Sequence, residues 1–298
     1  MRRAMESEAK LEKNQKLLRP SLDFVFKRIF GSREQKKILV CLLNSILNDN
    51  PRIESIELDN PEIPRETIDS REVRLDILAR TPQGTLVTVE IQCANAGNVI
   101  HRSIFYQARL MSLQLESGDS YDRIPDIISI WIANYPATGR NHHTNEIVNM
   151  YRSNEIDPIE IATSKFRTFI IELPKIDLEN IPQRRRDIFT SWMTFLKQPE
   201  LVTEDIINNI PEIGEAMKVL KYVSADGEFR EVCEARFRAQ NDEYSRITVA
   251  RDEGKLEGKL EGKQEIALAM LENGVAMDII VKCTGLSERE IIGLENNR

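Results

Sequence analysis

The chain has 298 residues, of which 41% are apolar and 30% charged, and its formal net charge is −7; that suits one large packed domain with appendages, or two domains. No run approaches the roughly 18 consecutive apolar residues of a membrane-spanning helix, and Met1–Lys13 carries basic residues with no apolar segment behind them, unlike a secretory signal. Four scattered cysteines (Cys41, Cys93, Cys233, Cys283) form no C-x-x-C pair, which speaks against a zinc site and suits a reducing cytoplasm.

Residues 1–17 read as a charged lead-in. Residues 1–37 hold eleven Lys/Arg against five Asp/Glu, a net of +6, and the remainder carries −13. A basic segment of this kind can face phosphates while an acidic body keeps the protein soluble; a solvated amphipathic helix accounts for the first turns equally well. Ser21–Asn48 reads as helix interrupted near Gly31–Ser32, with Phe26, Ile29 and Phe30 on one apolar stripe and Ile38, Leu39, Leu42, Leu43, Ile46 and Leu47 on the next. Asp23 and Lys27 stand four apart and share a face, the spacing of an ordinary ion pair. Ile53–Leu58 reads as a short strand.

Val73, Leu75, Ile77 and Ala79 alternate on one side of the turn TPQG (Thr81–Gly84), and Val87, Val89 and Ile91 alternate on the other. Both runs have the period of two of a half-buried hairpin. Asp76 falls on the face opposite the first apolar set, and Glu90 and Gln92, two apart, point the same way. If the strands pair about the turn, one carboxylate from each converges near one edge of the sheet. Mg2+ takes oxygen ligands, commonly one or two carboxylates with waters and substrate phosphate. Asp76, Glu90 and the backbone carbonyl of Ile91 would supply that set, and such an ion polarises a phosphodiester and acidifies an attacking water. Spacing alone leaves open an exposed hairpin whose acids are merely solvated.

A helix is expected from about Val99 to Ser117, stopped by Gly118. It carries Arg102, Tyr106, Gln107 and Arg109; Arg102, Tyr106 and Arg109 are candidate phosphate contacts, since arginines can stabilise charge developing on phosphate. His101 caps or packs at the helix start. Ile127–Ala133 is nearly all apolar, as in a strand covered on both faces, and Lys165–Leu173 is another strand. Between them lies a loop in which His142 and His143 have no third ligand at useful spacing. Arg184–Arg186 opens the helix Asp187–Leu196 and is either a phosphate-touching run or a solvated one.

Residues 201–251 read as a charged helical extension. Residues 252–264 repeat EGKL, EGKL, EGKQ. Each Gly costs a helix about 1 kcal/mol relative to Ala, so this reads as a marginal helix or a spacer. Residues 265–298 read as three short helices broken at Asn273–Gly274 and Thr284–Gly285, the last opened by a Ser287/Glu290 capping box. Size and turn are those of a helix-turn-helix, but the last helix has one Arg against two Glu, so a packing or dimerisation module is expected rather than a base reader.

Four segments in this order, Leu22–Gly31 (LDFVFKRIFG), Arg74–Ala79 (RLDILA), Val89–Gln92 (VEIQ) and Tyr106–Asp122 followed by ISIWIAN, resemble the Rpn family of recombination-promoting nucleases, also called PD-(D/E)XK nuclease family transposases. The resemblance covers roughly residues 18–200, and the EGK-type repeat with a small helical module is similar to that family too. It implies an α/β fold of the restriction-endonuclease-like type, a mixed central sheet flanked by helices, with a helical C-terminal extension. It further implies a DNA endonuclease dependent on Mg2+ or Mn2+ and linked to recombination or mobile elements. Asp76 and Glu90 would hold the metal, Gln92 would orient the nucleophilic water, and Asp23 or Lys27 would complete the site. Gln92 stands where most of the superfamily has Lys, so Gln92→Lys is expected to keep or raise activity. A nuclease-fold binding or assembly protein and an RNA nuclease are the competing expectations. Self-association is expected through the C-terminal tail.

Overall fold

Two strands of seven residues, one ending on Gln92 and the other on Ala133, form the middle of the sheet. All but the terminal Gln92 of these residues are buried, as in strands covered on both faces. The computed structural model describes residues 16–48, 51–63, 73–92, 99–135, 137, 149–151, 159–162, 165–179 and 187–296. His142, His143, Arg184–Arg186, Cys93 and most of the lead-in lie outside them.

The chain divides into two compact units, Met1–Gln240 and Asn241–Arg298. In the first, helices α1 (Asp23–Phe30) and α2 (Lys36–Leu47) precede strands β1 (Glu57–Leu58), β2 (Glu62–Ile63), β3 (Val73–Arg74), β4 (Ile77–Arg80) and β5 (Leu86–Gln92). Helix α3 (Val99–Ser112) leads to β6 (Ile127–Ala133), β7 (Asn149–Tyr151), β8 (Ile159–Ala162) and β9 (Phe166–Glu172). Helices α4 (Ile188–Lys197), α5 (Glu204–Asn209), α6 (Pro211–Ala225) and α7 (Gly227–Glu272) come next.

The main sheet runs β1-β4-β5-β6-β9-β8-β7, and β2 and β3 form a separate two-stranded ribbon. β5, β6 and β9 are parallel, and both flanks are antiparallel. This is an α/β fold with a mixed sheet. One face, with Ile77, Val87, Val89, Ile91 and Ile130, packs against α1, α2, α4 and α6 in the largest core. The other face is covered by α3 through Tyr106 and Leu110. Phe30, Trp192 and Phe195 meet ring to ring within the first layer, at 5.6 Å and 6.4 Å from Phe30.

The hairpin turn is as expected: Thr81 N–H donates to the Thr85 carbonyl, and Gly84 takes the left-handed φ of 88° that a side chain resists. The strand before it differs. Alternation from Val73 to Ala79 suggests one strand, yet the chain bends at Asp76. Leu75 therefore packs with Leu78 and Leu86 under α3, while Ile77 goes to the opposite core. The hairpin is also buried on both faces rather than half-buried: Thr88 and Glu90 are as enclosed as Val87 and Val89. The expected strand over 53–58 shrinks to Glu57–Leu58, and α3 stops at Ser112 rather than Ser117.

The second unit holds the end of α7, then α8 (Met277–Thr284) and α9 (Glu288–Asn296). Its own core is Ala267, Ile280, Leu286 and Ile291. Gly274 and Gly285 take φ of 70° and 69° at the two breaks. Ser287 Oγ receives the Glu290 N–H while the Glu290 carboxylate receives the Ser287 N–H, a complete capping box. Through the EGK repeat the helix is unbroken, contrary to a spacer. No helix of the described residues is long and apolar enough to cross a membrane.

Candidate active site

The pairing of β4 with β5 begins at Ile77↔Val89. Beyond that rung β4 has already bent away, and the side chains take over from the ladder. Asp76 N–H donates to Glu90 Oε1 at 3.0 Å, and Ile91 N–H donates to Asp76 Oδ2 at 2.8 Å. Each carboxylate is thus held by backbone of the other's segment. Asp76 Oδ1 faces Lys27 Nζ at 2.7 Å, and the Asp23 carboxylate lies 3.9 Å from the same ammonium. Helix α1 therefore brings both of its expected site residues to the bend.

Glu90 is 2% exposed. Burial pushes its carboxyl well above the ordinary carboxylate range, and the Asp76 charge adds to that; the Asp76 N–H, Arg102 and Lys27 act the other way. Burial also raises the Asp23 carboxyl, against the pull of Lys27 and with a push from Asp76. Two acids flank one lysine, and Glu90 is held behind Asp76 on its backbone N–H.

Gln92 ends β5. Its carbonyl receives the Asn134 N–H at 2.9 Å, and its side-chain oxygen receives Arg102 Nη1 at 2.8 Å. Arg102 Nη2 donates to the Tyr106 hydroxyl at 3.1 Å, and the guanidinium carbon lies 5.5 Å from the ring centres of both Tyr106 and Trp131. Arg102 and Tyr106 thus join the site through Gln92, while Arg109 stands about 10 Å beyond Arg102 along α3 by helical rise. Gln107 turns inward, donating to Thr168 Oγ1 at 2.6 Å. Asn134, which no sequence pattern singled out, ties the site together. Besides holding the Gln92 carbonyl, its Nδ2 donates to the Ser21 carbonyl at 2.8 Å, docking the start of α1 on the end of β6.

The donor chemistry fits a hard divalent cation. Among the described residues no group of three or more His, Cys, Asp or Glu gathers to hold a metal by itself. Mg2+ does not require one, since two carboxylates, waters and a phosphate suffice. Asp76 and Glu90 are two carboxyl groups confined together, and burial, with the Asp76 charge adding to it, raises the Glu90 carboxyl. A third oxygen is near. Successive carbonyls of a strand point to opposite edges, and Gln92 directs its own to β6. The Ile91 carbonyl therefore faces the Asp76 side.

A mixed sheet layered between helices, with an acid at the bend into β4 and another on the adjacent β5, defines an α/β nuclease of the PD-(D/E)XK type. The chain belongs to the PD-(D/E)XK nuclease family transposases, whose family model matches residues 20–250. Residues 260–295 match a second model, the Rpn/YhgA-like nuclease family C-terminal HTH domain. Helix-turn-helix modules dock on DNA, so the tail points to DNA as partner. Neither the curated proteins nor the solved structures yield a match.

Proposed function

We propose that the chain is a divalent-metal-dependent DNA endonuclease acting in recombination or on mobile elements. The observation that carries the reading is the reciprocal tie between Asp76 and Glu90, with Lys27 on the outer oxygen of Asp76. Asp76, Glu90 and the Ile91 carbonyl would hold Mg2+ or Mn2+, which would supply Lewis-acid polarisation of the phosphodiester and a more acidic water. The chain's own groups do the rest. Backbone N–H groups hold the two carboxylates in place, so their oxygens need little reorganisation during the reaction. Lys27, flanked by Asp23 and Asp76, offers its ammonium to charge developing on the phosphate. Gln92 orients the attacking water through a hydrogen bond, and as a neutral amide it carries no proton away. Scattered cysteines support a cytoplasmic location.

The test is plasmid nicking with and without Mg2+ or Mn2+. Nicking that depends on the ion and disappears in Asp76→Ala and Glu90→Ala supports the reading. Nicking that survives Asp76→Ala removes the site assignment. Gln92 favours one other reading, a nuclease-fold protein that binds DNA without cutting it; wild-type protein that binds and never nicks in either ion would establish that.

A further inference from the structure

Arginine carries five N–H donors and no acceptor. The atom of Gln92 that meets Arg102 Nη1 at 2.8 Å is therefore its oxygen, on chemical grounds. The Nε2 of the same amide is then turned away from Arg102. Arg102 is itself tightly placed, with a second donor on the Tyr106 hydroxyl and its guanidinium near the rings of both Tyr106 and Trp131. Trp131 is fully buried on β6, directly beside Glu90 in the parallel register, and its indole N–H is fixed on Ser129 Oγ at 2.8 Å. The helix side chain is thus anchored on the rigid centre of the sheet.

We infer that Arg102 is a positioning residue: it locks the Gln92 amide with Nε2 directed at the reacting water and supplies beside β5 the positive charge that the neutral Gln92 lacks. This rests on the nuclease function proposed for the site and assigns Arg102 a role other than direct phosphate contact. Moving the cation from helix to strand is then a permitted exchange, whereas having two cations or none is not. In Gln92→Lys an ammonium is placed against the Arg102 guanidinium, so the single change is harmful.

The experiment uses the full chain and four variants: Gln92→Lys, Arg102→Gln, the double variant Gln92→Lys/Arg102→Gln, and Arg102→Lys. Plasmid nicking is measured with metal, alongside the 15N order of the Gln92 side-chain amide in metal-free protein. The amide signal is assigned by its loss in Gln92→Lys. Gln92→Lys and Arg102→Gln, which add or remove one cation, are each expected to lower kcat about tenfold to a hundredfold, the cost of a misplaced reacting group, with KM little changed. The double variant is expected to recover most of that loss. The Gln92 amide is expected to be ordered in wild type and in Arg102→Lys, and mobile in Arg102→Gln.

A double variant no better than the worse single one overturns the inference. So does Arg102→Gln with a raised KM and intact kcat, which is the behaviour of a phosphate contact. A Gln92 amide equally ordered without Arg102 overturns it too. If the wild type never nicks, the nuclease reading fails, and the amide order still decides whether Arg102 locks Gln92. Should Arg102→Gln fail to fold, Arg102→Lys carries the test, because disorder of the Gln92 amide there would contradict a lock that needs only one donor over the rings.

Discussion

Asp76 and Glu90 are each held by main chain of the other's segment: Asp76 N–H lies on Glu90 Oε1 at 3.0 Å, and the Asp76 carboxylate lies on Ile91 N–H at 2.8 Å. The arrangement replaces the next rung of the β4–β5 ladder, so it is built into the sheet. It also forces two acids together where one is almost wholly buried.

Replacing Glu90 tests the consequences of that crowding. Glu90→Gln keeps an oxygen for the Asp76 N–H and removes the charge, so the variant is expected to fold, to bind Mg2+ more weakly and to lose cleavage in step. Calorimetry with unchanged affinity would make Glu90 structural. The pH dependence has a definite sign. A carboxyl raised in the folded state contributes stability below its ordinary value of 4.5, and loses it as pH rises through the folded value. In EDTA the wild type is therefore expected to lose thermal stability from mildly acid pH upward more steeply than Glu90→Gln. Mg2+ requires the ionised form, so its affinity rises over the same range in wild type and rises less in the variant.

Lys27 separates charge balance from catalysis. Its ion pair with Asp76 is partly exposed, so Lys27→Met is expected to cost about 1 kcal/mol or less in stability. Without the ammonium competing for the Asp76 carboxylate, Mg2+ affinity is expected to hold or rise. Cleavage is nevertheless expected to fall about a hundredfold, the typical effect of removing one stabilising donor. Cleavage and metal affinity that fall together would make Lys27 a structural partner of Asp76 only.

Asn134 is predicted to matter through helix α1. Asn134→Ala removes the donor to the Ser21 carbonyl and leaves the residue-134 N–H on the Gln92 carbonyl in place. A loss of about 1 kcal/mol in denaturant unfolding is expected from the hydrogen bond. Cleavage is expected to drop while Mg2+ affinity stays, because α1 carries Asp23 and Lys27 but neither Asp76 nor Glu90. Unchanged cleavage would mean that α1 is docked well enough by Phe26, Ile29 and Phe30.

Legibility in the chain divides along the range of the interactions. The hairpin, the apolar stripes of α1 and α2, the buried strand β6 and the breaks at Gly274 and Gly285 all arise from local pattern and turn chemistry. The bend at Asp76 does not, because Leu75 and Ile77 are both apolar and two-fold alternation cannot say that they face different cores. The Arg102–Gln92 bond spans the connection from β5 to α3, so neither residue announces the other, and the role proposed for Arg102 predicts the opposite outcome for Gln92→Lys. Asn134 sits in a segment that resembles the family yet looks like the start of a loop. The EGK repeat looks marginal from its glycines, but helix on both sides means that no new nucleus is needed to pass through it.

Removing residues 252–298 takes away most of the second unit, whose core of Ala267, Ile280, Leu286 and Ile291 lies wholly within the deleted stretch. All candidate metal and catalytic residues precede residue 93, and Arg102, Tyr106 and Asn134 precede residue 135. The truncated chain is therefore expected to fold and to keep metal-dependent nicking. It is expected to bind DNA more weakly, since residues 260–295 match a helix-turn-helix domain. Self-association is expected to go as well. Ile266, Ile279 and Ile292 remain about half exposed, at 55%, 46% and 47%, and a module this small cannot cover them itself. Sedimentation of both proteins, with DNA-binding titrations at two salt concentrations, checks the two losses separately. Equal sedimentation would remove the tail as the self-association element, and equal DNA affinity would confine recognition to the first unit.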